Sequence, residues 1–392
     1  MTRTVAIAAG VRTAIGGFGG SLAGHTPGEL GALVVAEALK RSGIGGEAVG
    51  HVVFGNVVLT ESKDAYLARV AALNGGIPQE VPCMTLNRLC GSGVQAIVSA
   101  AQSIMLGDTD VAVAGGAESM SRAPHLIQAA RFGQKMGDVA ATDHLTGILT
   151  DPFGHGIMGI TAENVAERYG VSRTDQDALA LESQRRAQAA IAAGRFDEQI
   201  LPIEVRKGRE TIAFRTDEHP KRDATAEGLA ALRPTFKRDG TVTAGNSSGI
   251  NDGAAALVLV EEARAEADGL PILARIVGYA HAGVDPSEMG MGPVPAVQRL
   301  LDRTGLSMAD FDVIESNEAF AAQACAVSRA LGFDAAKLNP NGGAVALGHP
   351  VGATGAILAV KAAYELKRLG GGLALVTMCI GGGQGIALAI RR

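Results

Sequence analysis

Three side chains able to move protons and acyl groups sit in glycine-rich settings: Cys90 in LNRLCGSG, His349 in NPNGGAVALGHPVGATG and Cys379 in TMCIGGGQG. The segment after Cys90, VQAIVSAAQSIML, reads as a helix, and free N–H groups at a helix start stabilise a thiolate. The glycines beside Cys90 let an acyl group approach the backbone, and the same N–H groups can hold a thioester oxyanion. His349 is fixed between Gly348 and Pro350 in a turn before another helix, where a histidine near a thiol takes its proton. Cys379 ends an apolar strand and precedes three glycines. It is a candidate acid or base if its pKa moves towards neutrality, and the glycine N–H groups beyond it offer a second oxyanion site. Asn317 in ESNEAFAAQ ends a strand, with Glu318 opening a helix; the pair reads equally as a cap and as a group orienting a water or carbonyl. Cys325 and Cys83 read as small buried hydrophobes. The four cysteines form no C-x-x-C, which argues against a zinc site and a disulfide framework.

The elements that must position these residues repeat. AEALKRSGIGGEAVGHVVFGN, ending at Asn56, matches VQRLLDRTGLSMADFDVIESN, ending at Asn317. Each is an amphipathic helix, a glycine C-cap (Gly43, Gly305), a short loop and a strand. Cys90 then lies 34 residues beyond Asn56, and His349 lies 32 beyond Asn317. Each precedes an Ala-rich helix, and each helix leads to a strand and a glycine pair, DVAVAGGAES and LALVTMCIGGG. Two α/β halves therefore present Cys90 and His349 at equivalent places. Residues 121–245 break the pattern and read as an insertion. The domain reading is 1–120 with 246–269 as the first half, 121–245 as an inserted loop domain, and 270–392 as the second half.

Composition sets the outer bounds. The chain has 392 residues, 47% apolar and 19% charged, with a net charge of −5 and no tryptophan. That is a globular composition. No basic run interleaves with aromatics, so nucleic acid is not an expected partner. Apolar runs such as AAALVLV are too short for a bilayer, so no membrane partner is expected. The N-terminus has no apolar signal region, which predicts a cytoplasmic protein.

NRLCGSG, NEAFAAQ, GGAVALGHPVGATG and CIGGGQG, taken in order, resemble the thiolases, the acetyl-CoA C-acyltransferases. The likeness extends through GGAESMS, TAENVA, TAGNSSGINDGAAA and AGVDPSEMGMGP and is closest to the biosynthetic beta-ketothiolases. The resemblance implies a five-layered αβαβα fold with two mixed sheets sandwiching buried helices, a loop domain over the site, and a homotetramer. It implies that Cys90 is acylated by an acyl-CoA and that His349 activates it. Cys379 would remove the α-proton of a second acetyl-CoA, giving a reversible Claisen condensation. Asn317 would hold a water beside His349, and the N–H groups of Cys90 and Gly381 would form the other oxyanion hole. No cofactor or metal is implied; coenzyme A thioesters are the substrates. Ser248, Lys221, Arg222 and Ala244 would contact CoA, and Ile157, Met158 and Phe320 would border the acyl chain.

Two departures from the family pattern bear on specificity. Ile157-Met158-Gly159 stands where His-Met-Gly is usual, with His155 two positions earlier, which predicts a changed acyl pocket. In the CoA loop, Lys221 replaces an arginine and Gly228 a serine. Rival readings remain. GSGVQA at 91–96 fits a dinucleotide fingerprint, but TLNRLC before it is too polar for the strand such a site needs. GNSSG at 245–249 fits a hydrolase elbow, though a strand rather than a helix follows. A decarboxylating ketoacyl synthase would share the fold and the nucleophile but would use two histidines. A non-catalytic CoA-binding protein is the alternative of a different class.

Overall fold

The structure, a computed structural model, describes residues 3–392, with the side chains of all but Lys207. Nine principal strands build one sheet: β1 (Val5–Thr13), β2 (His51–Gly55), β3 (Cys83–Leu86), β4 (Val111–Ser119), β5 (Asn251–Glu261), β6 (Ala274–Gly283), β7 (Val313–Ser316), β8 (Leu373–Ile380) and β9 (Gln384–Arg391). Their order is β7-β8-β9-β6-β1-β5-β4-β2-β3. The internal repeat is visible in the pairing. In one half β2 runs parallel to β4, β4 antiparallel to β5 and β5 antiparallel to β1. In the other β7 runs parallel to β8, β8 antiparallel to β9 and β9 antiparallel to β6. The halves were expected as separate sheets, but they are hydrogen-bonded into one. Only Ala6↔Arg275 and Ile7↔Ala274 join β1 to β6. The joint covers only the start of each strand's edge, and Ile200–Leu201 pairs with the far end of β1.

Helices stand in three layers around the two half-sheets. α1 (Pro27–Ser42) and α2 (Leu67–Asn74) cover the outer face of the first half; α6 (Pro293–Thr304) and α7 (Ala321–Leu331) cover that of the second. α3 (Ser92–Leu106) and α8 (Val351–Leu369) lie side by side between the half-sheets. α1 starts with a capping box, Thr26 with Glu29, and Pro27 in its first turn. Gly43 and Gly305 end α1 and α6 with φ of 71° and 70°, the left-handed caps their positions called for.

The central pair explains two glycines. A Cβ on Gly93 would strike the backbone N of Ala356, and one on Gly355 would strike the backbone N of Val94. α3 and α8 therefore cross backbone to backbone at these residues. Leu89–Leu106, with mean hydropathy 1.4, is long and apolar enough to cross a bilayer, which inspection of uninterrupted apolar runs missed. Here it is the core helix packed on α8 and both half-sheets.

β4 and β5 are neighbours although residues 120–250 separate them, so that segment leaves the sheet and returns. It carries α4 (Met158–Arg168) and α5 (Arg173–Ala192). Fully buried Arg12 on β1 donates to both carboxylate oxygens of Asp217, at 2.7 and 2.9 Å, and to Gln199 at 2.8 Å. This pins the loop carrying His219 and Lys221 to the sheet.

Candidate active site

Cys90 sits on a sharp turn between β3 and α3. The residue before it, Leu89, has φ 46°, a left-handed conformation that a branched side chain adopts only under constraint. Ser92 supplies that constraint. Its hydroxyl donates to the Leu89 carbonyl at 2.7 Å and accepts from the Arg88 N–H at 2.8 Å. Asn87 Oδ1 accepts from the Leu89 N–H at 2.8 Å. The thiol meets two backbone donors, the N–H groups of Gly381 and of Cys90 itself. Burial pushes this thiol up; the two N–H groups pull against burial and nearby Glu118 adds to it. The helix start therefore does not make Cys90 a resting thiolate, contrary to the expectation from its position. Loss of water outweighs the two donors.

His349 is buried, with its N–H held by Asn251 Oδ1 at 2.9 Å. Its ring tautomer follows from its neighbour. Thr354 Oγ1 spends its one proton on the Pro350 carbonyl at 2.8 Å, so at 2.6 Å it accepts from Nδ1–H. Nε2 then carries the lone pair, and Asn317 Nδ2 lies 3.5 Å from it. Burial lowers the His349 pKa to about 4, so near neutral pH the ring is an uncharged acceptor.

Cys379, near the end of β8, is fully buried among Met158, Met289, Ala319 and Phe320. Burial pushes its thiol far up, and the neighbouring Cys90 thiol raises it further. It is not moved towards neutrality as sequence reasoning supposed. Asn317 is buried, and its Oδ1 has no hydrogen-bond partner. Glu318 does not open a helix, since α7 begins at Ala321. Its carboxylate is buried and accepts from Ser183 Oγ, Asn339 Nδ2 and the Val345 N–H, which locks the loop that carries Asn317.

Cys90, His349, Gly381, Ser248, Met158 and Phe320 line one cavity of ≈ 70 Å³. The rest of its wall is apolar: Val57, Leu89, Ile148, Leu149, Met289, Ala319 and Val351. Ile157 is not part of that wall. It caps α4 and bridges to Thr150, while Ile148 and Leu149 from the same turn take the pocket-facing places. Only a fold that closes 148–158 on itself could reveal this. Met289 carried a signal in EMGMGP but was not singled out. Lys221, Gly228 and Ala244 line a separate groove of ≈ 310 Å³ with His219, Gln184 and Leu229. Arg222, exposed like Lys221, is not among the residues that line that groove. Residues 244–248 connect the groove to the thiol cavity.

The rival motifs have structural uses instead. Gly93 of GSGVQA lies against α8, which leaves no room for a dinucleotide. Ser247 of GNSSG is buried and donates to the Thr243 carbonyl at 2.7 Å.

Comparison with known proteins agrees with this geometry. Residues 5–263 match the family model described as thiolase, N-terminal domain, and residues 270–392 that for the thiolase C-terminal domain. The chain is 62% identical to the beta-ketothiolase BktB of Cupriavidus necator over the full length of both. It is 51% identical to an acetyl-CoA acetyltransferase of Pseudomonas aeruginosa, covering 99% of each chain. Human mitochondrial 3-ketoacyl-CoA thiolase superposes with a TM-score of 0.98 at 45% identity, over 100% of this chain and 99% of that one. The same enzyme in complex with CoA superposes with a TM-score of 0.96 at 45% identity, over 100% and 98%.

Proposed function

This chain belongs to the thiolase family, and from that premise we propose how its residues divide the work. It is an acyltransferase of the acetyl-CoA acetyltransferase and beta-ketothiolase type, acting on CoA thioesters. The observation that carries the assignment of roles is that Cys90 and His349, whose Nε2 keeps its lone pair because Thr354 holds Nδ1–H, line one apolar cavity.

In condensation, the Cys90 proton passes to His349 Nε2 as the sulfur attacks the acyl-CoA carbonyl. The Cys90 and Gly381 N–H groups, which converge on the sulfur, hold the oxyanion. CoA leaves as a thiolate and takes the Cys379 proton. The acylated site then holds a His349 imidazolium and a Cys379 thiolate. A thiol that burial keeps neutral is a strong base once ionised. It takes an α-proton from the second acetyl-CoA, and the enolate attacks the acyl-Cys90 carbonyl. The Cys90 thiolate leaves and recovers its proton from His349. Run backwards, the neutral Cys379 is the acid that protonates the departing enolate, so the resting protonation states suit thiolysis directly. Asn317 steadies Nε2 and holds a water there as an oxyanion donor.

The small apolar cavity supports acetyl and short acyl chains. Pantetheine passes Ser248, and the nucleotide end lies in the groove beside Lys221. The reaction needs no cofactor beyond its CoA thioesters. A homotetramer in the cytoplasm completes the proposal, on the family resemblance. The test is CoA-dependent cleavage of acetoacetyl-CoA and 3-ketohexanoyl-CoA by wild type and Cys90→Ala. Wild type is expected to cleave at least one and the variant neither. Binding of CoA without cleavage of either would overturn the assignment in favour of a CoA-binding protein.

A further inference from the structure

The two halves correspond residue by residue at the site. In the first, Gly55 pairs with Gly116, and Asn56 and Glu118 lie one and two residues beyond. In the second, Ser316 pairs with Thr377, and Asn317 and Cys379 lie one and two residues beyond. Cys90 and His349 each precede the start of a central helix by two residues. Asn56, Cys90 and Glu118 thus occupy the places that Asn317, His349 and Cys379 occupy in the other half. The reaction above uses four of these six residues and leaves Asn56 and Glu118 without a role.

Glu118 is fully buried. Its Oε1 accepts from Asn56 Nδ2 at 2.9 Å and the Val58 N–H at 3.0 Å; its Oε2 accepts from the Gly352 N–H at 2.7 Å and the Val57 N–H at 3.1 Å. Burial pushes the carboxyl up to about 8 against those N–H groups, and Asp64 adds to the push. Yet all four partners are donors, so an acid proton would find no acceptor and would displace one of the four bonds. The hydrogen-bond pattern therefore favours the carboxylate, and the start of α8 helps to hold it. Gly352 lies three residues beyond His349 in the first turn of α8. A Cβ on Gly116 would strike the Gly352 carbonyl, and a Cβ on Gly352 would come 2.6 Å from Glu118 Oε2. The first turn of the second half's helix is thus seated on the strand ends of the first half, with Glu118 as the fastening. Val57, held by the same carboxylate, lines the cavity beside Cys90. A buried charge bonded only to neutral donors is a costly way to join two elements.

We propose that Glu118 is a positioning residue for acyl transfer: it fastens the first turn of the His349 helix to the strand end carrying Val57 and sets its negative charge beside Cys90. This rests on Cys90 as the nucleophile and His349 as its proton acceptor. The charge adds to burial in keeping the resting Cys90 protonated, so the thiol ionises only towards bound substrate.

The test uses the full-length enzyme as Glu118→Gln and Glu118→Asp, with thermal unfolding as the control for folding. Acetoacetyl-CoA thiolysis gives kcat and KM, and the pH profile of Cys90 alkylation by iodoacetamide, read by mass spectrometry, reports the charge. Glu118→Gln keeps the shape, loses the charge and turns an amide against N–H donors. Its kcat should fall roughly tenfold or more with KM little changed, and its alkylation profile should move to lower pH. Glu118→Asp keeps the charge but shortens the reach to Gly352. It should lose kcat while its alkylation profile stays near wild type, and it decides the matter alone if the glutamine variant does not fold. Overturning results are kcat within twofold of wild type in a folded variant, or an unmoved alkylation profile in folded Glu118→Gln. If Cys90 of the wild type is not protected from alkylation by acyl-CoA, it is the assignment of Cys90 that fails instead.

Discussion

Replacing Thr354 by valine isolates one proton. The threonine hydroxyl donates to the Pro350 carbonyl and accepts from His349 Nδ1–H at 2.6 Å. Valine keeps the branched shape and the volume, both close to those of threonine, and removes the hydroxyl; the Pro350 carbonyl keeps the N–H groups of Ala353 and Thr354 as donors, so the loss that matters is the acceptor. Nδ1–H would then be a buried donor without a partner, at a cost of about 1–3 kcal/mol. The ring can escape by moving the proton to Nε2, near the Asn317 amide 3.5 Å away. In that tautomer Nε2 has no lone pair to take the Cys90 proton. If the whole penalty falls on the productive tautomer, kcat drops roughly 5- to 150-fold. Thr354 does not line the cavity, so KM should stay within about twofold, a split expected of a group that acts only on the reacting state. The assay is steady-state thiolysis of acetoacetyl-CoA, with urea unfolding to confirm an intact fold. Thr354→Ser restores the acceptor and should recover most of the rate. Wild-type kcat in a folded Thr354→Val, or a serine variant no better than valine, would refute the tautomer reasoning.

Cys379→Ala should still form acyl-Cys90 from acyl-CoA, seen by intact mass, though more slowly because the departing CoA thiolate loses its proton donor, while condensation falls roughly 10²- to 10⁴-fold; failure to accumulate any acyl-Cys90 would contradict the division of labour between the thiols. Gly355→Ala places a methyl against the Val94 backbone at the helix crossing. Despite the better helix propensity of alanine, it should lose about 1–3 kcal/mol in urea unfolding. His349 is held neutral in the fold, with its pKa lowered to about 4 by burial. The unfolded chain therefore binds that proton first, and stability present above pH ~6.5 is lost as pH falls towards 4, by roughly 3 kcal/mol. Stability measured against pH should show a flatter acid limb in His349→Asn; an unchanged limb would mean that the ring is not buried in neutral form.

Sequence reasoning reached the elements where a local rule decides them. Gly43 and Gly305 announce left-handed caps, and the matching stretches around them announce two halves. The short motifs around Cys90, His349 and Cys379 placed all three at one site, because each lies where a strand or helix ends and the repeat tells which ends meet. What stayed hidden depends on surroundings gathered from afar. The pKa of Cys90 was expected to fall because the helix start is local and visible, whereas the burial that wins comes from both halves. Ile157 was singled out by its place in a motif, yet the turn at 148–158 gives the wall to Ile148 and Leu149. Lys221 and Arg222 were equivalent in sequence, and only the folded loop shows that Lys221 is the one lining the groove.

The repeat also accounts for Glu118, a buried carboxylate within GGAESMS to which the motif assigned no role. A scaffold with two matched halves offers each position twice, and a reaction that needs one nucleophile and one base cannot use both copies alike. At one pair of helix starts the copies are Cys90 and His349, complementary as donor and acceptor of a single proton. At the paired strand ends they are Glu118 and Cys379. One accepts only from N–H groups and has no path to a substrate; the other packs among Met158, Met289, Ala319 and Phe320 against the reacting sulfur. The asymmetry has a physical direction. A carboxylate at the Cys379 place would be a weaker base for an α-proton, and a thiol at the Glu118 place could not accept four hydrogen bonds from one loop and a helix start. Chemistry is concentrated at one strand end, and fixation of the opposing helix at the other.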